Sequence, residues 1–336
     1  MQRLLRYLAP LLLLFVASAA FAQYTVTNLT SNQTGQANHF DPLLINAWGE
    51  DYAPGGAFWV SDAGSGWTTL YDGTGNPQSL KVIVPSANGL GSGSPTGLVY
   101  NSSQEFKIDT WTSEFLFVTL DGTIQGWSSF DPSTTLIAVN NSSKGASYTG
   151  LAITHHATGN RLYAVDTANN KVDVYDGTFK FLGSFTDPAI PQNFTALAAR
   201  DFNGNLAVTF ADKNGGSGGL IDIYNESGKL LKHFSHDSHL SQPWGIALAP
   251  ANFGPLSNTV LVTNNVDAGT INGYNLQTGK YVGTVTDANG NAIIIDQIWD
   301  IKFGGGSLLN GKTNQLFFTA GPNNNLNGLF GVIQAQ

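Results

Sequence analysis

The feature that most restricts this chain is a unit of about fifty residues that recurs six times. Each copy opens with a turn residue, an aromatic or Thr, a Gly and a short apolar strand. The copies are Asn46-Ala47-Trp48-Gly49, Pro95-Thr96-Gly97-Leu98-Val99, Tyr148-Thr149-Gly150-Leu151-Ala152, Phe194-Thr195-Ala196-Leu197-Ala198, Pro243-Trp244-Gly245-Ile246-Ala247 and Ile298-Trp299-Asp300-Ile301. With Gly49, Gly97, Gly150, Leu197, Gly245 and Asp300 taken as equivalent, the steps are 48, 53, 47, 48 and 55 residues. A period of this length belongs to repeat architectures, in which each unit buries its apolar face only by stacking on its neighbours.

Within each copy a second strand follows, as in Phe58-Trp59-Val60-Ser61-Asp62 or Leu316-Phe317-Phe318-Thr319-Ala320, and then a third, as in Val172-Asp173-Val174-Tyr175. The third strands alternate apolar and polar residues, the pattern of a strand with one buried face. A weaker fourth strand appears at Lys81-Val82-Ile83-Val84 and its counterparts. Four short strands per unit make a β-propeller blade. The fold class is therefore all-β: a six-bladed β-propeller of four-stranded antiparallel blades. The blades span about 43–86, 92–140, 146–188, 193–236, 240–288 and 293–336, within a domain of residues 23–336. The sixth copy stops after its third strand, so residues 24–31 are expected to supply its outer strand and close the ring. Composition agrees: 11% charged residues, against about 25% in an average domain, and 39 Gly suit short strands joined by tight turns.

Residues 1–22 read as a signal peptide: Arg3 and Arg6, an apolar run from Leu8, and Ala20-Phe21-Ala22 before Gln23. The expected protein is thus secreted, extracellular or periplasmic, with no membrane span. Loss of Arg3 and Arg6 from a chain of formal charge −8 leaves −10, and the remaining arginines are Arg161 and Arg200. Nucleic-acid binding lacks its electrostatic drive. With no Cys, stability has to come from core burial and a closed topology, and a monomer is expected.

Asn46-Ala47-Trp48-Gly49, Gly93-Ser94-Pro95-Thr96-Gly97, Leu162-Tyr163-Ala164-Val165-Asp166, Pro243-Trp244-Gly245-Ile246-Ala247-Leu248-Ala249-Pro250-Ala251 and Phe318-Thr319-Ala320-Gly321-Pro322 follow one another in fixed order and spacing. In these stretches the chain resembles a family of exported bacterial six-bladed β-propeller proteins, distantly NHL-like. The resemblance implies the fold and carries no activity or site residues. Asp300 departs from it, standing where the sixth blade of such proteins tends to have Gly.

In a propeller the start of the innermost strand and the hairpin between the second and third strands meet at one channel mouth. That places Trp48, Thr96, Tyr148, Trp244 and Trp299 beside Asp62, Asp121, Asp166, Asn264 and Asp267 as a candidate ligand-binding set. Aromatics beside carboxylates and amides suit a small molecule, a polysaccharide or a protein ligand. The competing expectation is structural, with indoles packed between blades and Asp and Asn closing turns. No cofactor is required; Ca2+ held by oxygen ligands in the central channel is the one that this set admits. A calcium-dependent, lactonase-like hydrolase or lyase is the rival function, although Glu50 follows the first Trp-Gly pair instead of preceding the strand. A purely structural exported protein is the third. His233, His236 and His239 have the look of a metal run, but spacing of three alternates faces on a strand. No Ser or Cys nucleophile partners His155-His156.

Overall fold

The β-branched and aromatic runs of each repeat become strands, and the Gly, Asn and Asp clusters between them become turns. The computed structural model describes residues 23–155, 159–202 and 204–336. The expected leader, 1–22, and His156 lie outside the described residues. From axis to rim, blade one holds Ala47–Tyr52, Phe58–Asp62, Trp67–Tyr71 and Pro77–Ile83, and blade two Pro95–Tyr100, Phe115–Thr119, Thr123–Trp127 and Leu136–Asn140. Blade three holds Tyr148–Thr154, Arg161–Asp166, Lys171–Asp176 and Phe181–Phe185; blade four holds Phe194–Phe202, Asn205–Asp212, Gly219–Tyr224 and Leu230–His236. Blade five holds Pro243–Leu248, Thr259–Asn264, Ile271–Asn275 and Tyr281–Thr284. Helix is confined, among the described residues, to the single turns Ser142–Lys144 and Gly254–Leu256. No helix there is long and apolar enough to cross a membrane.

Blade six takes Ile298–Phe303, Gln315–Ala320 and Leu329–Ala335 from one end of the chain and its outer strand, Tyr24–Ser31, from the other. Tyr24 lies opposite Ala335 and Ser31 opposite Leu329. The Tyr24 hydroxyl donates to the Phe253 carbonyl at 2.8 Å and accepts from the Leu256 N–H at 3.1 Å, which also pins the strand to blade five. Burial pushes that hydroxyl up to about 12. His39–Phe40 adds in parallel outside Tyr24–Ser31 as a fifth strand, and a small hairpin, Lys107–Ile108 with Trp111–Thr112, interrupts blade two. The repeat pattern announces neither addition.

Six apolar clusters each draw on two neighbouring blades, and a seventh sits at the axis. Every inner strand carries a β-bulge at the same place. Trp48-Gly49 faces Ser61, Trp244-Gly245 faces Thr263 and Trp299-Asp300 faces Thr319, with register slips at the corresponding points of blades two, three and four. Two residues opposing one bend the strand sharply and bring neighbouring inner strands into backbone contact. A Cβ on Gly49 would sit 2.6 Å from the Thr96 carbonyl oxygen, on Gly97 2.6 Å from the Leu151 nitrogen, and on Gly245 2.7 Å from the Trp299 carbonyl oxygen. The recurring Gly of the repeat is therefore a contact between blades. In blade four Ala198, one residue after Leu197, fills the equivalent place, because Leu197 is the bulged residue.

In blades four, five and six a threonine of the second strand satisfies the bulge. The Thr263 hydroxyl accepts the Gly245 N–H at 2.7 Å and donates to the Trp299 carbonyl at 2.8 Å, joining blade five to six. Thr319 accepts the Asp300 N–H at 3.1 Å and donates to the Trp48 carbonyl, joining six to one. Thr319→Val would leave both groups buried and unpaired, and should cost about 2–3 kcal/mol in denaturant unfolding, whereas Thr313→Val in a turn should be neutral. Deleting residues 24–31 exposes the edge of Leu329–Ala335 and should lower the melting temperature and promote association; a variant that melts with the full chain would contradict closure by this strand.

Candidate functional site

Each bulge directs one side chain to the axis at the mouth where the inner strands begin. In blades five, six and one that side chain is Trp244, Trp299 and Trp48. Trp48 stacks on Trp299 with centroids 3.6 Å apart and planes 19° from parallel, and Trp244 meets both edge-on at 6.3 and 6.0 Å. Ala63, Ala198, Leu120 and Leu197 complete the cluster. All three indoles are less than a tenth exposed. The Trp299 N–H donates to Asn46 Oδ1 at 3.0 Å and Asn325 Oδ1 at 3.2 Å. Those of Trp48 and Trp244 are buried without an acceptor.

A half-buried amide precedes each of these tryptophans by two residues: Asn46, Gln242 and Gln297, every one at φ 51°. Left-handed backbone is uncommon for Gln and costs about 1 kcal/mol or more. Here it turns the carbonyl onto the hairpin that follows the second strand, accepting the N–H of Ala63, Asn265 and Gly321 at 3.0–3.1 Å. The side chains then bridge loops of different blades, Gln297 Nε2 to Asp267 Oδ1 at 2.7 Å and Gln242 Nε2 to the Asp212 carbonyl at 2.8 Å. This Asn/Gln-x-Trp pattern is visible in the sequence three times, and the amide two residues before each tryptophan is the signal of the left-handed position.

Of the ten residues expected at the mouth, the structure brings together the three tryptophans and, through Gln297, Asp267. Thr96 holds the bulge position of blade two, equivalent to that of Trp48, with its hydroxyl turned onto backbone carbonyls, and the other five turn elsewhere. Thr149, not Tyr148, occupies the bulge of blade three. Tyr148 points between blades, donating to Asp173 Oδ2 at 2.9 Å and accepting from the Asn141 amide. The Thr96 hydroxyl donates to the Tyr148 carbonyl at 2.7 Å. Asp62 accepts the Thr69 hydroxyl, Asp166 the Ser147 N–H and Asn264 the Ser241 N–H. Each ends a second strand and fastens structure within its own blade. Asp121 accepts the Ala87 N–H from the loop between blades one and two.

Deeper along the channel lies a charged cluster. Arg200 of blade four reaches Asp300 of blade six, whose other oxygen accepts the Glu50 N–H of blade one at 3.2 Å. Lys302 pairs with Asp51 at 2.6 Å. Glu50 is fully buried and neither carboxyl oxygen has a hydrogen-bond partner. Burial first, then the nearby Asp300, push its carboxyl well above the usual range. Asp300, the departure from Gly, is thus the anchor of an ion pair across the channel. Of these carboxylates, Asp51 and Asp300 each face a cation. Below pH 4.5 folded and unfolded chains both hold the Glu50 proton; above it only the folded chain retains it, so this residue erodes stability as pH rises. Glu50→Gln, which does not titrate, should melt above the wild type at pH 7, with the gap closing in acid; a gap independent of pH would exclude the buried acid.

No family model matches the chain. "Uncharacterized protein R648" of Acanthamoeba polyphaga mimivirus is 29% identical over 346 residues, covering 96% of this chain and 83% of that protein. "Uncharacterized protein L690" of the same virus is 30% identical over 302 residues, covering 83% and 78%. Among solved structures, a streptogramin B lyase superposes with a TM-score of 0.56 at 12% identity over 95% of this chain and 100% of that one. A glucose dehydrogenase gives 0.58 at 11% identity over 93% and 100%. These neighbours share the fold. The resemblance to propeller families accordingly holds for the six-bladed architecture, while the sequence relatives found are viral. With 30% identity spread over most of both chains, this propeller belongs to the family of the mimivirus protein L690.

Proposed function

We propose that the chain is a recognition propeller that binds a neutral, hydroxyl-rich ligand, such as the end of a polysaccharide, over the tryptophan mouth. The observation that carries this reading is the pair of indole N–H groups, Trp48 and Trp244, buried at the axis without an acceptor. Each unmatched donor costs about 1–3 kcal/mol, which a ligand oxygen reaching it would recover. The rim has the matching chemistry: the amides Asn46, Gln242, Gln297 and Asn325 stand around the indoles, and exposed Leu90, Ile294 and Leu326 lie on loops of the same face. Amides serve hydroxyls, and the apolar side chains serve the C–H faces of sugar rings. A hydrolase or lyase at the axis is not favoured, since Asp51 and Asp300 are engaged by Lys302 and Arg200.

A carbohydrate array probed with the full chain tests the reading, followed by titration of the best binder. Trp244→Phe keeps an aromatic ring at the axis while removing the N–H together with the pyrrole part of the indole. It should weaken binding at least about five- to tenfold, the worth of one hydrogen bond, and lower the melting temperature by the packing the smaller ring gives up. Absence of any carbohydrate binder, or binding indifferent to Trp244→Phe and Gln297→Ala alike, would remove the mouth as the site.

A further inference from the structure

A second set of side chains lies far from the axis, in a slot that recurs in blades one, three and four. The slot is formed around the third-strand residue two places before a tyrosine, Tyr71, Tyr175 or Tyr224, between the loop leading into the blade and the outer strand. In blade one the occupants are Asp41, Thr69 and, paired with Thr69 across the strands, Lys81, whose ammonium lies 3.7 Å from Asp41. In blade three Lys171 reaches Asp173 at 2.7 Å. A lysine thus neutralises the acid in both.

Blade four differs. Its slot holds Asp187 from the loop, Asp222 two residues before Tyr224, and His233 opposite Asp222 in the outer strand. His233 takes the place of Lys81, and two carboxylates face one imidazole. Nδ1 of His233 is 2.9 Å from Asp222 Oδ1 and 3.6 Å from Asp187 Oδ2. A tetrahedral ion with bonds near 2.0–2.1 Å sets its ligand atoms about 3.3 Å apart, between these two spacings. Both carboxylates are nearly fully buried, and Asp187 Oδ2 has no hydrogen-bond partner. Their remaining oxygens are fixed: Asp187 Oδ1 accepts the Ala189 N–H at 2.8 Å and Asp222 Oδ2 the Tyr224 hydroxyl at 3.4 Å. Such outer partners orient metal ligands. His233 is more than half exposed, so the slot opens to solvent on one side. Among the described residues no other trio of His, Asp or Glu brings its ligand atoms this close.

We infer that Asp187, Asp222 and His233 form a binding site for a divalent transition-metal ion of the zinc class, completed by solvent. Nitrogen from one imidazole with oxygen from two carboxylates suits Zn2+ or Mn2+ better than a hard, oxygen-only ion. The rest of the histidine run does not contribute: His239 pairs with Asp237 and stacks on Tyr281.

The test titrates ZnCl2 into chelator-treated full chain by calorimetry, with melting temperature and visible absorption of the Co2+ form as further readouts. One equivalent should bind and raise the melting temperature. His233→Ala and Asp187→Asn should each weaken binding by more than about tenfold, the loss already expected for a residue that merely supports a ligand, while His239→Ala leaves it unchanged. His233→Lys, which restores the arrangement of blade one, should abolish binding and stabilise the metal-free chain. Failure of the wild type to take up zinc, or uptake indifferent to His233→Ala, would overturn the assignment. Neither result bears on carbohydrate binding at the mouth.

Discussion

Backbone contact between adjacent inner strands, made at a bulge that recurs in every blade, is the constraint on which the remainder of the molecule rests. It explains why Gly49, Gly97, Gly150 and Gly245 have no side chain, because any Cβ there would collide with a neighbouring backbone. It explains the buried threonines, which occupy the gap opened by two residues opposing one. It also explains the axial tryptophans, since the first residue of each bulge is turned out of the pleat toward the centre. One local irregularity, repeated, thereby sets blade spacing, links blades and fills the mouth.

The periodic part of this arrangement was legible in the sequence, because a strand, a turn and a glycine at fifty-residue intervals leave a pattern that survives loop variation. What was not legible follows from the bulge. An inserted residue shifts the facing of its neighbours by one, so Tyr148 was expected at the axis and lies between blades, while Thr149 takes the bulge. Asp62, Asp166 and Asn264 sit at the expected ends of their strands but face inward, Asp62 to hold the Thr69 hydroxyl and the other two to hold backbone N–H groups. Arg200 and Asp300 meet across a hundred residues, and Glu50 joins them from blade one; no spacing in a linear chain signals a pair that only ring geometry brings together.

Sixfold repetition of the backbone does not extend to the side chains. Blades five, six and one give tryptophan and a left-handed amide to the mouth, whereas blades two, three and four give Thr96, Thr149 and Leu197. The same holds at the rim, where one slot is closed by a lysine in blades one and three and by a histidine between two carboxylates in blade four. Repetition supplies equivalent positions, and single substitutions within them give each its own chemistry.

The strand from Tyr24 to Ser31 is synthesised before any blade and finds its partner only when Leu329–Ala335 has been made. Bringing together segments about 300 residues apart carries a chain-closure cost of about 5 kcal/mol, recovered only by the last pairing. A prematurely terminated chain would therefore carry two naked sheet edges, one at its first strand and one at its unfinished blade, and would advertise its incompleteness to any protease or chaperone that recognises unpaired backbone. The circular join thus makes both edges wait on the last pairing before either is hidden.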